Sequence, residues 1–473
     1  MGNLLVLMSD EHQARAMGCA GHPFVQTPNL DALAARGLRF TNAYTPSPIC
    51  VPARSSFATG CYVHQTRLWD NAMPYDGTIA GWGHVLQRQG VCVESIGKLH
   101  YRSAEDPAGF DREHLPMMVA DGVGMVWASI RNEDERLTDR PRMLGDYIGP
   151  GHSTYTDYDA AVVERTVRWL AEAPDQDWCL FVGLVAPHFP LVVPQRYFDQ
   201  YPVDDLPQPK LHPATGYRQH PWIVRQNAIM DTEAQFESPE ERLRAMASYY
   251  GLVTWLDDNI GKILDALDHA GLANDTTVVY TSDHGENLGA RGLWGKSNMY
   301  EESAAVPLIL SAPQCPTGTC ETPVSLIDLS QTIADTFGAA LPPASPGRSL
   351  HAIAAEPADP DRIVFSEYHA AGAVSGAFML RKGRWKLIHY VGFAPELFDL
   401  QNDPDERMDR AADPHCAAIL ADLMVALHRI CDPEQVDALA HQDQAAMIAR
   451  SGGREVALTL GAPAATPPPR FTP

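Results

Sequence analysis

The apolar positions along this chain fall into two alternating kinds of segment. The first kind is a short run of aliphatic and β-branched residues, found at residues 3–8, 91–96, 178–185 and 276–280. The second kind is longer and repeats its apolar positions at helical spacing, at residues 29–37, 158–173 and 240–271. The short runs predict buried strands, and the longer segments predict helices with one apolar face. Their alternation predicts an α/β fold with a large, mostly parallel sheet flanked by helices.

Two stretches, residues 101–157 and 194–238, interrupt this alternation. They are rich in Gly, Pro and charged residues and show no clear period. Loops of this length in a compact domain are usually functional or disordered. Because they follow positions 98 and 188, which are candidate site residues below, we interpret them as walls of a substrate pocket.

The pattern changes again near residue 361. A strand-like run at 362–366 and a hairpin-like segment at 375–390 predict a small C-terminal antiparallel sheet. A helix at 415–430 is expected to cover this sheet. We therefore expect three regions, which are a catalytic α/β domain at 1–360, an α+β subdomain at 361–455 and a Pro-rich tail at 456–473.

Composition and charge narrow the class of protein. The chain has 473 residues, 45% of them hydrophobic, and a formal net charge of −23. Such an acidic chain is a poor partner for nucleic acid or an anionic membrane surface, so neither is expected. The nine cysteines show no Cys-x-x-Cys spacing, which predicts reduced thiols. The first apolar run is too short for a membrane span and lacks a basic region before it, so we expect a cytoplasmic protein.

Two of the strand-like runs end on groups that bind metals. The run at 3–8 is followed by Asp10, and the run at 276–280 is followed by Asp283 and His284. In open α/β sheets, ligands gather beyond the carboxyl ends of the strands, where these side chains would lie. Two carboxylates and an imidazole suit a divalent cation. The sequence therefore predicts a metal site at this edge of the sheet.

Another candidate, Cys50, begins the segment Cys-Val-Pro-Ala-Arg that ends at Arg54. A Cys followed by Pro two residues later and Arg four residues later resembles the signature of type I sulfatases, in the alkaline phosphatase superfamily. The resemblance implies that a formylglycine-generating enzyme converts Cys50 to formylglycine. The hydrated aldehyde carries two hydroxyls on one carbon, so one can attack sulfur and the other can later expel sulfate.

Further motifs of this family are matched downstream. Lys98 and His100 lie in Gly-Lys-Leu-His, His188 lies in Ala-Pro-His-Phe-Pro, and Lys296 ends Gly-Leu-Trp-Gly-Lys. The resemblance implies that Arg54, Lys98 and His100 hold the aldehyde hydrate and assist its proton transfers. It also implies that His188 and Lys296 face the sulfate and the leaving oxygen.

The acids and Asn71 indicate a branch of the family. The pairs Asp10-Glu11 and Asp283-His284 resemble the choline-sulfatase and phosphonate-monoester-hydrolase branch, where one acid from the first strand suffices. Glu11 is therefore left open as a metal ligand, and the resemblance adds the oxygen of residue 50 to the ligand set. Asn71 lies where that branch carries an Asn in contact with the charged group of the substrate. The resemblance implies one divalent metal, either Ca²⁺, which the family commonly uses, or Mn²⁺, which suits the imidazole ligand.

The leading interpretation is a sulfuric ester hydrolase that cleaves a small or aryl sulfate ester through formylglycine and a divalent metal. A phosphonate monoester or phosphodiester hydrolase is the alternative, although Lys98 and His100 favour sulfate because phosphonate hydrolases lack them at the matching positions. An inactive binding scaffold is a minor alternative, because the basic residues of the motif set are all present. The Pro-rich tail, with Phe471 as an anchor, predicts a homo-oligomer.

Overall fold

Strands and helices alternate along the computed structural model, which describes residues 2–131, 143–313, 315–460 and 466–470. The β-strands of these residues are β1 (Asn3–Asp10), β2 (Leu38–Phe40), β3 (Ala43–Tyr44), β4 (Cys92–Lys98), β5 (Arg112–Met117), β6 (Gly149–Pro150), β7 (Trp178–Pro187), β8 (Val192–Val193), β9 (Thr276–Ser282), β10 (Leu308–Ser311), β11 (Gly318–Cys320), β12 (Val324–Ser325), β13 (Val364–Tyr368), β14 (Ala377–Lys382), β15 (Trp385–Tyr390) and β16 (Glu396–Asp399). The α-helices are α1 (Pro28–Ala35), α2 (Cys50–Thr59), α3 (Val63–Thr66), α4 (Trp82–Arg88), α5 (Thr154–Ala171), α6 (Gln195–Phe198), α7 (Pro221–Met230), α8 (Pro239–His269), α9 (Glu301–Ala304), α10 (Leu326–Thr336), α11 (Leu350–Ala355), α12 (Ala417–Ile430), α13 (Pro433–Arg450) and α14 (Arg454–Ala457).

An eight-stranded sheet organises the larger part of the described chain, in the order β11-β2-β10-β9-β1-β7-β4-β5. Strands β9, β1, β7, β4 and β5 are parallel neighbours. Strand β10 runs antiparallel to both β9 and β2. The predicted fold class, a mostly parallel sheet flanked by helices, is confirmed. Because parallel strands end at the same edge, the residues that follow β9, β1, β7 and β4 lie close together.

Strand β1 is buried on both faces, as its continuous apolar sequence predicts. Leu5 and Leu7 pack into one core with helices α1, α5 and α8. Leu4, Val6 and Met8 pack into a second core with helices α2, α4 and α10. Each of these side chains is fully buried, so each contributes about 2 kcal/mol relative to an exposed position. The position of Asp10 is fixed because a slip of one residue would exchange the side chains between the two cores.

Strands β13 to β16 form a four-stranded antiparallel sheet in sequence order. One face packs against α12, where Leu423 and Leu427 share a core with Phe365. The opposite face packs against the larger part of the molecule, including Trp222 and Tyr300. The predicted small sheet and its covering helix are confirmed, and the structure adds a second long helix, α13. The domain boundary expected near residue 360 stays a prediction.

Residues 101–157 are not the unbroken loop that their composition predicted. They contain β5, which pairs in parallel with β4 and forms one edge of the main sheet. The prediction was wrong because edge strands carry charged residues and Pro, and β5 has both. Helix α5 also begins earlier than expected, at Thr154, where Ser153 Oγ accepts a hydrogen bond from Thr156 N. Residues 194–238 likewise contain α6 and α7.

No single helix within the described ranges is long and apolar enough to cross a membrane. Two consecutive helical segments, Pro414–Ile430 and Pro433–Arg450, are long and apolar enough only when taken together, and they are bent by 47° relative to each other. Leu423, Leu427 and Ala440 of this pair pack into the core beside the small sheet.

Candidate active site

Four neighbouring strands bring polar side chains to one edge of the main sheet. We take the strands in the order in which they lie in the sheet. Asp283 comes directly after β9 in the chain, and Asp10 is the last residue of β1. Next, β7 is followed by His188 and β4 ends at Lys98. All four side chains are buried. This edge is where open α/β sheets bind their ligands, and the structure brings these predicted site residues together there.

Two glycines let β4 and β7 approach closely next to Lys98. A Cβ at Gly183 would lie 2.0 Å from Lys98 O, and a Cβ at Gly97 would lie 2.2 Å from Gly183 O. Gly97 also has a φ of 97°, in the left-handed region that favours glycine. A larger residue at either position would therefore displace the end of β4 and the lysine that it carries.

Cys50 begins helix α2, whose residues are all buried. Its Sγ lies 3.2 Å from His284 Nε2 and 3.7 Å from Asp10 Oδ1. The free N–H groups at a helix N-terminus carry partial positive charge, which favours negative charge on a group at position 50. Burial, and then the charge of Asp10, raise the pKa of the Cys50 thiol to about 12. The unmodified side chain is therefore a neutral thiol.

The residues around Cys50 fit a divalent cation. One ligand atom from each of Asp10, Cys50, Asp283 and His284 lies within 4.8 Å of the other three. His284 Nδ1 donates a hydrogen bond to Gly285 O at 3.0 Å, which leaves the lone pair of Nε2 facing this group. Two carboxylates and an imidazole supply oxygen and nitrogen ligands, and the Cys50 sulfur stands where an oxygen of formylglycine would lie.

Arg54 lies beside this group and joins its acids. Nε donates to Asp283 Oδ2 at 2.7 Å, Nη1 donates to Lys98 O at 3.0 Å, and Nη2 lies 3.5 Å from Asp10 Oδ2. The planar guanidinium makes these contacts at once, which a single ammonium could not. Burial opposes ionisation of Asp10, but Lys98 and other nearby cations outweigh it and hold the Asp10 pKa well below its ordinary value. Asp10 is therefore an anion.

His100 faces the C-terminal segment of the chain. Its Nε2 lies 2.7 Å from Thr466 Oγ1, and Tyr155 OH donates to Thr466 O at 2.6 Å. Burial, and then the charge of Lys98, hold the His100 pKa well below its ordinary value, so the ring is neutral. Lys98 Nζ itself donates to a carboxylate oxygen of Asp10. Tyr155 and Thr466 could not be predicted as neighbours of His100, since neither residue lies in a recognised motif.

Lys296, His188 and Glu11 form a second cluster beside the first. Lys296 Nζ lies 2.8 Å from His188 Nε2 and 3.0 Å from Glu11 Oε2. The same ammonium lies 4.8 Å from the centre of the Phe189 ring. Burial, and then the charge of Lys296, hold the His188 pKa well below its ordinary value, so its neutral Nε2 can accept from the ammonium. Ligand atoms of Asp10, Glu11 and His188 lie within 4.8 Å of one another, so the two clusters are contiguous.

Asn71 is fixed at the start of α2, because its Oδ1 accepts a hydrogen bond from Val51 N at 3.1 Å. The structure thus brings all of the predicted site residues into one buried region, although the roles assigned to them stay predictions. The predicted anchor of the tail, Phe471, lies outside the described residues.

Comparisons with known proteins agree with this geometry. The sulfatase family model matches residues 2–339, and the model for the C-terminal region of N-sulphoglucosamine sulphohydrolase matches residues 289–432. The chain is 32% identical to a choline-sulfatase of Rhizobium meliloti (strain 1021), over 94% of this chain and 89% of that protein. It is 28% identical to arylsulfatase K of Homo sapiens, over 93% of this chain and 84% of that protein. The solved structure of the phosphonate monoester hydrolase of Agrobacterium radiobacter superposes with a TM-score of 0.75 at 24% identity, covering 91% of this chain and 95% of that one.

A mostly parallel sheet with buried acids, imidazoles and basic side chains at its carboxyl edge is an arrangement suited to metal-assisted hydrolysis. Because the sulfatase model spans most of the chain and the choline-sulfatase aligns over 94% of it, the chain belongs to the sulfatase family. The predicted activity of a sulfuric ester hydrolase is confirmed. The likeness to the Agrobacterium radiobacter enzyme, at 24% identity, shows the shared fold alone.

Proposed function

We propose that this protein hydrolyses a small or aryl sulfate ester through a formylglycine made from Cys50. The supporting observation is the position of Cys50 at the start of α2, within 3.7 Å of Asp10 and of His284. With its pKa raised to about 12, the thiol itself is a weak nucleophile and a weak ligand at neutral pH. A hydrated aldehyde at this position would instead offer oxygen to a hard cation and a hydroxyl to sulfur.

The donor set suits one divalent cation, calcium or manganese, held by Asp10, Asp283, His284 and the oxygen of residue 50. Such a cation supplies Lewis-acid polarisation of the sulfate ester and of the hydrate. Arg54 keeps the two carboxylates in place, because its guanidinium contacts both of them.

Two groups of side chains move protons in this proposal. His100 is neutral, and its imidazole is the proposed base that accepts a proton from a hydroxyl at position 50. On the other side, the Lys296 ammonium and the His188 ring are joined by a contact of 2.8 Å. This pair is the proton donor to the leaving oxygen, which becomes negative as the S–O bond breaks.

The decisive test is the chemical state of residue 50. After co-expression with a formylglycine-generating enzyme, peptide mass spectrometry should show Cys50 converted to formylglycine, and the protein should release inorganic sulfate from 4-nitrophenyl sulfate. Cys50→Ala should abolish turnover with the fold intact. Cys61→Ala, at a half-buried cysteine just beyond the end of α2, is the matched control and should remain active. Full activity with Cys50 unmodified would overturn the proposal.

A phosphonate monoester hydrolase is the second candidate, and the specific observation in its favour is the similarity to the phosphonate monoester hydrolase of Silicibacter pomeroyi, which is 27% identical with a TM-score of 0.71 over 91% of this chain and 95% of that one. Lys98, which donates to Asp10, and the neutral His100 support sulfate instead, because the family resemblance places neither of them in phosphonate hydrolases. Comparing kcat/KM for 4-nitrophenyl sulfate with that for a phenyl phosphonate monoester separates the two. A clear preference for the phosphonate would reverse the assignment.

We also propose that the protein self-associates through its C-terminal arm. Polyproline segments are already extended, so docking them costs little conformational entropy. In the single chain, Thr466 contacts the site of its own molecule, and the same contact is open to exchange between copies. Light scattering on the full chain and on a chain ending at Glu455 tests this. Equal masses, or a monomeric full chain, would exclude the arm as the connection.

A further inference from the structure

Glu11 follows a predicted metal ligand, yet its carboxylate lies against basic side chains. Its Oε2 lies 3.0 Å from Lys296 Nζ and 3.3 Å from His188 Nε2. The Glu11 side chain is 1% exposed, so this contact is shielded from water. The ligand group around Cys50, in contrast, is formed by Asp10, Asp283 and His284 without Glu11.

The backbone at Glu11 separates the directions of the two consecutive carboxylates. Glu11 N donates to Asp283 Oδ1 at 3.2 Å, and Tyr249 OH donates to Glu11 O at 2.8 Å. The residue has a φ of 68°, in the left-handed region. A strained conformation held by two hydrogen bonds is a fixed feature of the fold, and it lets Asp10 and Glu11 serve different partners.

The loop that carries Lys296 is also held rigidly. Gly295 N donates to Glu286 Oε1 at 2.7 Å, and Asn287 Nδ2 donates to Gly295 O at 2.7 Å. The Lys296 ammonium therefore reaches Glu11 from a fixed backbone. In this position it supplies the positive charge between Glu11 and His188, although Asp10, Glu11 and His188 have ligand atoms close enough to hold an ion.

We propose that Glu11 is a positioning residue, whose side chain holds Lys296 Nζ beside His188 Nε2 and toward the leaving oxygen, and that it is not a metal ligand. This inference rests on the proposed function, because it takes Lys296 and His188 as the donor pair. Burial raises the Glu11 pKa well above its ordinary value, and the charge of Lys296 opposes this rise. In either protonation state Oε2 can accept from Lys296 Nζ and restrict its rotamers, and correct placement of a proton donor is a large part of its effect.

The proposed role of Glu11 predicts how the rate should depend on the leaving group. A good leaving group, such as 4-nitrophenolate, departs with little help from a proton donor, whereas an unsubstituted phenol or an alkyl alcohol needs that help. Weakening the donor pair should therefore slow poor leaving groups much more than good ones. Loss of a metal ligand would instead slow all of them and lower the metal content.

The experiment compares Glu11→Gln and Glu11→Ala with the wild type on a series of aryl and alkyl sulfates. For Glu11→Ala, kcat/KM should fall about 100-fold on poor leaving groups, the scale of general acid catalysis, and less than about 5-fold on 4-nitrophenyl sulfate. On poor leaving groups, kcat/KM of Glu11→Gln should lie between the values of the wild type and of Glu11→Ala, since the amide oxygen can still accept from Lys296. Elemental analysis should find the wild-type metal content in both variants.

Asp159→Asn provides the matched control. Asp159 is a buried carboxylate that accepts from Val185 N and Ala186 N near the end of β7, without contacting Lys296. Its substitution disturbs the end of β7, the strand that precedes His188. Any loss of kcat/KM in Asp159→Asn should therefore be the same for good and poor leaving groups. A loss in Glu11→Ala that is equally uniform, or a fall in its metal content, would overturn the inference. If the wild type turns over only phosphonate monoesters, the proposed function fails, and the same alcohols presented as phosphonates then decide the role of Glu11.

Discussion

The hydroxyl of Thr466 lies 2.7 Å from Nε2 of His100, although the two residues are 366 positions apart in the chain. Tyr155 OH donates to the carbonyl of the same threonine at 2.6 Å. His100 is only 5% exposed, and its Nδ1 has no hydrogen-bond partner among the described residues. The C-terminal segment is therefore part of the surroundings that keep this imidazole dry and neutral.

Removing that segment should change the pH dependence of the reaction. Burial, and then the charge of Lys98, hold the His100 pKa well below its ordinary value of 6.5. In a chain ending at Leu460 the ring is more hydrated, its pKa rises, and less of the neutral base is present in mildly acidic solution. The acid limb of the kcat/KM profile should therefore move to higher pH. Thr466→Val keeps the burial and is the control, expected to retain the wild-type limb. A shortened chain with an unchanged limb would contradict this account of His100.

Asp283→Asn should lose the metal. Asp283 offers an oxygen to the ligand group around Cys50 and accepts from Arg54 Nε at 2.7 Å. Metal affinity should fall about 100-fold or more, since even the loss of groups that orient ligands costs 10–100-fold. Asp257→Asn is the control, because that buried carboxylate accepts from Asn29 N and Leu30 N away from the site. Elemental analysis after dialysis measures both variants, and a full metal content in Asp283→Asn would remove it from the ligand set.

Arg54→Lys should be damaging although it preserves the charge. The guanidinium contacts Asp283, Asp10 and the Lys98 carbonyl together, and an ammonium can satisfy only part of this geometry. We expect about a 100-fold loss in kcat, the scale of removing one charge-stabilising donor from an active site. Steady-state kinetics with a thermal melt on the same sample separates this from unfolding. Wild-type kcat in Arg54→Lys would show that the planar geometry of the guanidinium is unimportant for the reaction.

The ligand group around Cys50 could be predicted from the sequence because its two acids lie at the ends of strongly apolar strands. Asp10 is the last residue of β1 and Asp283 comes directly after β9, and adjacent parallel strands must bring their ends to one edge. Cys50 and Arg54 were recognised by a local motif that is also a helical turn. Short-range information was sufficient for these residues.

Other features depend on contacts between distant parts of the chain. The edge strand β5 was missed because its charged residues and internal Pro hide its period. The contact of Thr466 with His100 has no local signature, since a Pro-rich tail has the same composition whether it packs or not. The partner of Glu11 could not be predicted either, because it depends on the left-handed turn after β1.

A buried Glu367, on β13, joins the small sheet to the larger part of the molecule. Its Oε1 accepts from His64 N at 2.9 Å and contacts His64 Nδ1 at 2.8 Å, and its Oε2 contacts His369 Nε2 at 3.1 Å. Burial opposes ionisation, but the two histidines outweigh it and lower the Glu367 pKa from 4.5 to about 2. The His64 pKa is raised in turn: burial lowers it, but the Glu367 charge and hydrogen bond outweigh burial.

Glu367→Gln should therefore destabilise the protein in a pH-dependent way. A carboxyl whose folded pKa is depressed contributes stability that is fully present above its unfolded pKa and is lost as pH falls through the folded pKa. The window is thus pH 4.5 down to about 2, and the full contribution is about 3 kcal/mol. Urea unfolding at pH 6 and pH 3.5 should show a larger difference from wild type at pH 6. Glu356→Gln, in an exposed pair with Arg348, should cost less than about 1 kcal/mol at either pH. An equal difference for Glu367→Gln at both pH values would mean that packing, and not its charge, carries the effect.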